Sequence, residues 1–308
     1  MHCLHPCKAT ARSLFFCMEI FKPLAPVIPV FFLIAIGLSF ARWKKISLAA
    51  VTEIIVYLGT PSLVLTSLAS KPIHASELAV LFSGLMAIYA GVGILIRLYF
   101  LVFRFRSRGF ALPALFMNAG NMGLPLALFA FGEAGMQRAT LIFVMATCLQ
   151  FSLGLYILNG RSNWIEIFRL PLIYAAVGGM SLNLLEIRIP ELLAQPLTML
   201  GQATIPLMLV SLGYRLHDVK SLRWGHALGG ALVRILGGFA AANLAVLLIG
   251  AEGVNRQVLL LYGCLPAAVV NFVLTEKYQQ DPELAASIVV LSTFISVFTI
   301  PAVFWLIL

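Results

Sequence analysis

The sequence predicts an all-α polytopic membrane protein, with ten transmembrane helices in two inverted five-helix repeats and a pair of crossing, broken helices at the centre. Composition comes first: the 308 residues are 61% hydrophobic and only 11% charged, with a mean hydropathy of +0.99. A soluble domain is about half apolar and a quarter charged. Apolar runs of about 20 residues, the length that crosses a bilayer, recur along the chain with short connections that leave no room for a soluble domain. One of these runs, 110–131, is interrupted at mid-length by Asn118 to Leu126, NAGNMGLPL. Lipid offers the backbone no hydrogen-bond partner, so such a lesion is tolerable only against protein or a wet cavity.

Residues 1–20 form a polar, irregular N-terminal segment. Glu19 and Lys22 interrupt its apolar run and no small-residue cleavage site follows, so a signal peptide is not expected. Met18 opens a cleaner start, and translation is expected to begin there. His2, Cys3, His5 and Cys7 have metal-like spacing, but no second ligand pair follows and no metal site is expected. Nor do the five cysteines suggest a disulfide framework. The predicted spans are Phe21–Ala41, Ala49–Ala69, Glu77–Phe103, Phe110–Phe131, Met136–Leu158, Ile165–Leu185, Leu193–Leu216, Trp224–Ile249, Gln257–Tyr278 and Glu283–Ile307. The first repeat is then 21–158 and the second 159–308.

Loop charge orients the bundle. The connections after spans 1, 3, 5, 7 and 9 hold Arg42, Lys44, Lys45, Arg104, Arg106, Arg108, Arg161, Arg169, Arg215, Lys220, Arg223 and Lys277. The other face, from Met18 on, holds only Lys22, Lys71, Arg138, Arg188 and Arg256. By the positive-inside rule the richer face is cytoplasmic, which puts both termini outside the inner membrane. The net charge of +9 reflects this asymmetry, not affinity for nucleic acid. Internal similarity supports a duplication: Pro61 and Pro206 are 145 residues apart, and Pro125 and Pro266 are 141 apart. Thr147 and Gln150 recur as Thr293 and Ser296, 146 residues on. With an odd number of spans per half, the second half must be inverted.

Inversion gives the interrupted spans 4 and 9 a geometric meaning. Gly120 and Gly123 have little helix propensity, and Pro125 and Pro266 cannot donate to the preceding turn. Fresh half-helices are therefore expected to begin at the two prolines and to cross at the membrane midplane. Their free N–H groups favour an anion, as in other carriers with discontinuous helices. Asn118, Asn121 and Asn271 cluster around the breaks and could orient a carboxylate without burying a permanent charge. A single membrane asparagine is commonly only an interhelical contact. Three around paired breaks favour a site. Thr147, Gln150, Thr293 and Ser296 fit an ion or substrate lining and equally fit ordinary helix contacts. Arg97 and Arg234 could offer positive potential, although snorkelling explains Arg97 more cheaply.

The segments GNMGLPL, TPSLV, TIPLMLVSLG, LPAAVVNFVLTEKY and STFISVFTIP, taken together, resemble the auxin efflux carrier family. That family includes bacterial organic-acid permeases and the plant PIN-type auxin carriers. The resemblance covers essentially the whole chain from Met18. It implies a fold similar to bile acid/sodium symporters, with scaffold helices 1, 2, 6 and 7 and transport helices 3–5 and 8–10. It also implies a homodimer through the scaffolds and elevator-type alternating access. Asn118 matches the asparagine that contacts the substrate carboxylate in PIN carriers, and Pro125 and Pro266 match their crossover prolines. Asn271 departs from that pattern, where PIN carriers have a second proline. A smaller, more polar acid than auxin is therefore expected.

The expected function is secondary transport of small organic anions, such as malate or malonate, without a cofactor. Coupling to sodium or to protons stays open: no aspartate lies in any span, and Glu53 and Glu276 sit near helix ends. An ion-coupled carrier of another small solute is the alternative. A channel fits less well, because no repeated ring of charge is visible. An enzyme is the weakest reading, since His2, His5, His74, His217 and His226 all lie away from mid-depth.

Overall fold

The computed structural model describes residues 23–160, 165–217 and 222–308. The Met18 start, the His2–Cys7 cluster, Arg161 and Lys220 lie outside the described residues. Among those residues the fold is helical throughout, apart from one isolated pairing of extended residues.

The helices are α1 Val27–Trp43, α2 Ala49–Ala69, α3 Ala75–Val102, α4 Arg108–Leu115, α5 119–131 and α6 133–159. After a single turn at Ile165–Phe168 come α7 Pro171–Leu184, α8 Glu191–His217 and α9 Trp224–Ile249. The last three are α10 Gly253–Cys264, α11 Val269–Lys277 and α12 Pro282–Ile307. Among the described residues six helical stretches are long and apolar enough to cross a membrane: α2, α3, α5 with α6, α8, α9 and α12; α1 and α7 are shorter and apolar. The chain is a multi-pass membrane protein.

Several expected boundaries move, among them the start of span 9, at Gly253 rather than Gln257. Span 6 was expected to start at Ile165, but α7 starts at Pro171. Leu170 precedes the proline and is held extended (φ −84°, ψ 119°), because Pro Cδ disfavours helical backbone there. Pro171 then fits the first turn, where its missing N–H is not needed. Span 1 ends later than expected, at Trp43. The four-residue loop expected between spans 4 and 5 is a single residue, Gly132, at φ 64° and ψ −158°, backbone that essentially only glycine adopts. The chain folds back there, since a Cβ on Gly120 would sit 2.8 Å from the ring of Phe143.

Two groups of helices emerge from the packing. In one, α1 lies against α8, and α2 lies against α7 and α8; in the other, α9 packs on α3, α10 and α12, while α12 also covers α4 and α11. The first group is held by backbone-to-backbone contact. A Cβ on Gly213 of α8 would overlap the carbonyl oxygen of Ile34 in α1, and one on Gly37 would overlap that of Val210. Small residues allow such approach in membranes, where packing rather than water drives association. Gly213→Val must push α1 and α8 apart. It is expected to cost about 1–3 kcal/mol, read as a lower melting temperature in detergent; an unchanged melting curve would contradict this packing.

Candidate binding site at the helix crossover

Both interrupted spans break near mid-length, but neither half-helix begins where the prolines suggested. The first break is Phe116 to Asn118, ahead of α5, and Pro125 sits in a helical turn beyond it. A π-turn, Ala119–Gly123, opens α5, with the Gly123 N–H donating to Asn118 O at 3.1 Å. A widened turn of this kind accommodates a proline just beyond it without ending the helix. The second break is Leu265 to Ala268. Pro266 lies inside it in extended chain, and the helix resumes at Val269.

The breaks hold each other open. Met117 and Ala267 pair as an antiparallel bridge. The Asn118 N–H donates to Pro266 O at 2.8 Å, and the Ala268 N–H to Phe116 O at 3.2 Å. Each extended link thus supplies hydrogen bonds that the other lacks, which lets non-helical backbone persist in an apolar interior. The Ala267 N–H reaches Ser292 Oγ at 3.1 Å. Tyr262 Oη donates to both Ala119 O (3.1 Å) and Ala139 O (3.0 Å), tying α10 to both arms of the α5–α6 hairpin.

The C-terminal ends of α4 and α10 meet one side chain. Arg234, fully buried in a π-turn of α9, donates from one Nη to Leu115 O at 2.6 Å and from the other to Gly263 O at 3.1 Å. No described carboxylate pairs with it. Its charge is instead set against the negative ends of two helix dipoles. The opposite, N-terminal ends at Ala119 and Val269 line a cavity, where the positive ends of their dipoles favour an anion.

That cavity, of about 370 Å³, lies between the two groups of helices. One wall is formed by Thr52, Ile55, Val56 and Thr60 of α2 with Met208, Ser211 and Arg215 of α8, each set at helical spacing on one face. Tyr89, the first break, Phe143 to Phe151 of α6 and residues 268–270 form the other. The lining is mostly apolar, and Arg215 is its one charged residue among the described residues. Asn118 is 3% exposed and lines the cavity, while its Nδ2 has no hydrogen-bond partner among the described residues. The hydroxyl of Tyr89 is likewise buried and unpaired. Buried donors are normally satisfied, and both of these residues line the same cavity.

The other candidate residues divide. Asn121, Gly120, Thr147 and Gln150 line the cavity. Thr147 donates to Phe143 O in its own helix, and Gln150 Nε2 to Asn271 Oδ1 at 2.6 Å. Asn271 is fully buried behind the crossover; its Nδ2 donates to Phe116 O at 2.9 Å, so both ends of its amide are committed and it lies off the lining. Gly123 gives room to the Tyr262 ring, 2.7 Å from where a Cβ would be. Thr293 and Ser296 are buried on α12, bonded to Val289 O and Thr293 O, and are also off the lining. Ser292, their neighbour, is the α12 residue that reaches the break. Arg97 is exposed. Tyr89, Tyr262 and Ser292 carried no sequence signal, being ordinary residues of apolar runs.

Comparison with known proteins points to membrane transport. Residues 159–305 match a family model described as membrane transport protein. An uncharacterized transporter of Methanothermobacter thermautotrophicus is 30% identical over 206 residues, 64% of this chain and 67% of the relative. Another, from Methanocaldococcus jannaschii, is 27% identical over 315 residues, covering 93% of this chain and 99% of its own. Auxin efflux carrier component 1 of Arabidopsis thaliana is 25% identical over 140 residues, 43% of this chain and 22% of the plant protein. The chain belongs to the auxin efflux carrier family. It is a membrane transporter of that family.

Proposed function

We propose that this family member is a secondary carrier of small organic anions, carboxylates such as malate or malonate. The observation that carries the reading is the amide of Asn118: a buried, unpaired donor on a cavity wall between two half-helix N-termini. A carboxylate accepts from such donors, and neutral amides hold it without an opposing buried charge. Tyr89 adds a second unpaired donor. A channel is disfavoured because side-chain hydrogen bonds tie α2 to α6 and α7 on the face away from the basic loops. There Ser67 Oγ and Thr140 Oγ1 are 3.0 Å apart, Gln137 Nε2 donates to Lys71 O at 2.6 Å, and Asn183 Nδ2 donates to Leu68 O at 2.6 Å.

In this proposal α1, α2, α7 and α8 are the scaffold and dimerise, while α3–α6 and α9–α12 move as the transport unit across the cytoplasmic membrane. Placement of the cavity between the two packed groups supports that division. Antiparallel pairing of the two breaks supports an inverted repeat, because a two-fold axis in the membrane plane relates such links in that way. The basic loops support an orientation with both termini outside. Arg234 occupies carbonyls that a coupling cation would otherwise use, so transport independent of a sodium gradient is the expected form.

Uptake of labelled malate and malonate into proteoliposomes, with no gradient, a sodium gradient and a proton gradient in turn, tests this. Saturable uptake supports the carrier, and the effective gradient names the coupling. Folded protein that takes up no acid would remove organic anions as the substrate class.

A further inference from the structure

Loop charge accounts for Arg215 as one of many cytoplasmic cations, yet its position is unlike theirs. It stands in the last turn of α8, half-buried, and lines the cavity in register with Met208 and Ser211. One Nη donates to Thr52 Oγ1 of α2 at 2.9 Å, which holds the guanidinium at the cavity mouth. No described carboxylate pairs with it. A helix-terminal cation serving only the dipole of α8 or lipid headgroups would have no need of a tether toward the cavity. Arg215 and Thr52 also both belong to the α1–α2–α7–α8 group, whereas Asn118 and Tyr89 belong to the other.

We propose that Arg215 is a substrate ligand of the static group, engaging the carboxylate only while the site faces the cytoplasm. This rests on the carrier reading and adds a sidedness to it. When the transport unit carries the crossover outward, Asn118 travels with the anion and Arg215 stays behind. Arg215 therefore strengthens capture and retention on the cytoplasmic side alone, and it discriminates against uncharged analogues there through charge-assisted hydrogen bonds.

The test compares right-side-out and inside-out membrane vesicles, with labelled malonate as the probe. Arg215→Gln is expected to raise the cytoplasmic-side KM roughly tenfold, the lower end of what a hydrogen bond to a charged group contributes. The external-side KM should stay as in wild type. Arg215→Lys keeps the charge and is expected to recover much of the cytoplasmic affinity. In wild type, raising ionic strength should weaken the cytoplasmic KM more than the external one, because a mouth charge is screened; this holds even if Arg215→Gln fails to fold. Equal changes on both faces, or none on either, with wild type still transporting, would overturn the role of Arg215. Wild type that transports no carboxylate would instead remove the carrier reading, and this role with it.

Discussion

Asn118→Ala is expected to raise the KM for carboxylate uptake roughly 10–100-fold while leaving the folded protein intact. Among the described residues its Nδ2 has no hydrogen-bond partner, and the break around it is held through backbone groups. Truncation therefore removes a donor without stranding a partner, and stability should change by less than about 1 kcal/mol. A bound carboxylate loses a charge-assisted hydrogen bond of about 1.5–3 kcal/mol, which is roughly 10–100-fold in affinity. Asn118→Asp keeps the size but places an anion opposite the substrate, and uptake should fall further. Uptake assayed beside size-exclusion profiles checks both. Matching losses of folded protein and transport would make Asn118 structural.

Arg234→Met should be the most destabilising single substitution at the crossover. It leaves Leu115 O and Gly263 O buried without their donors, at about 1–3 kcal/mol each. It also removes the cation that faces two helix C-termini. Burying an arginine is itself costly, and that cost is relieved by methionine, so the net loss is on the order of 3 kcal/mol rather than the full sum. An ammonium carries three donors but lacks the fixed fork that reaches both carbonyls from one guanidinium, so Arg234→Lys should fall between wild type and methionine. Gly238→Ala should mimic the loss, because its Cβ would overlap the guanidinium of Arg234. Thermal unfolding in detergent checks all three variants. A methionine variant as stable as wild type would mean that the carbonyls find other donors.

Particular residues show how far the sequence could be read. The spans were legible because lipid demands long apolar helices, and the breaks were legible because Gly, Asn and Pro interrupt two of them. Asn118 stood out for the same reason. Asn271 looked equivalent on the page, yet its amide serves Gln150 and Phe116 O. Thr293 and Ser296 shared an offset with Thr147 and Gln150, yet Ser292 is the one that reaches the break. Residue type tells that a donor exists; it does not tell which way it points.

By itself, then, the sequence determined the membrane class, the approximate spans, the two interruptions and the family. These depend on composition and local backbone chemistry, which are written residue by residue. Only the tertiary structure decided that the breaks fall at Phe116–Asn118 and Leu265–Ala268 rather than at the prolines. It alone set Arg234 against two carbonyls from different helices, left Asn118 and Tyr89 unpaired, and turned Arg215 toward the cavity. These depend on which other segment packs against a buried polar group, and packing chooses it from far along the chain, 119 residues away for Arg234 and Leu115 and 163 for Arg215 and Thr52.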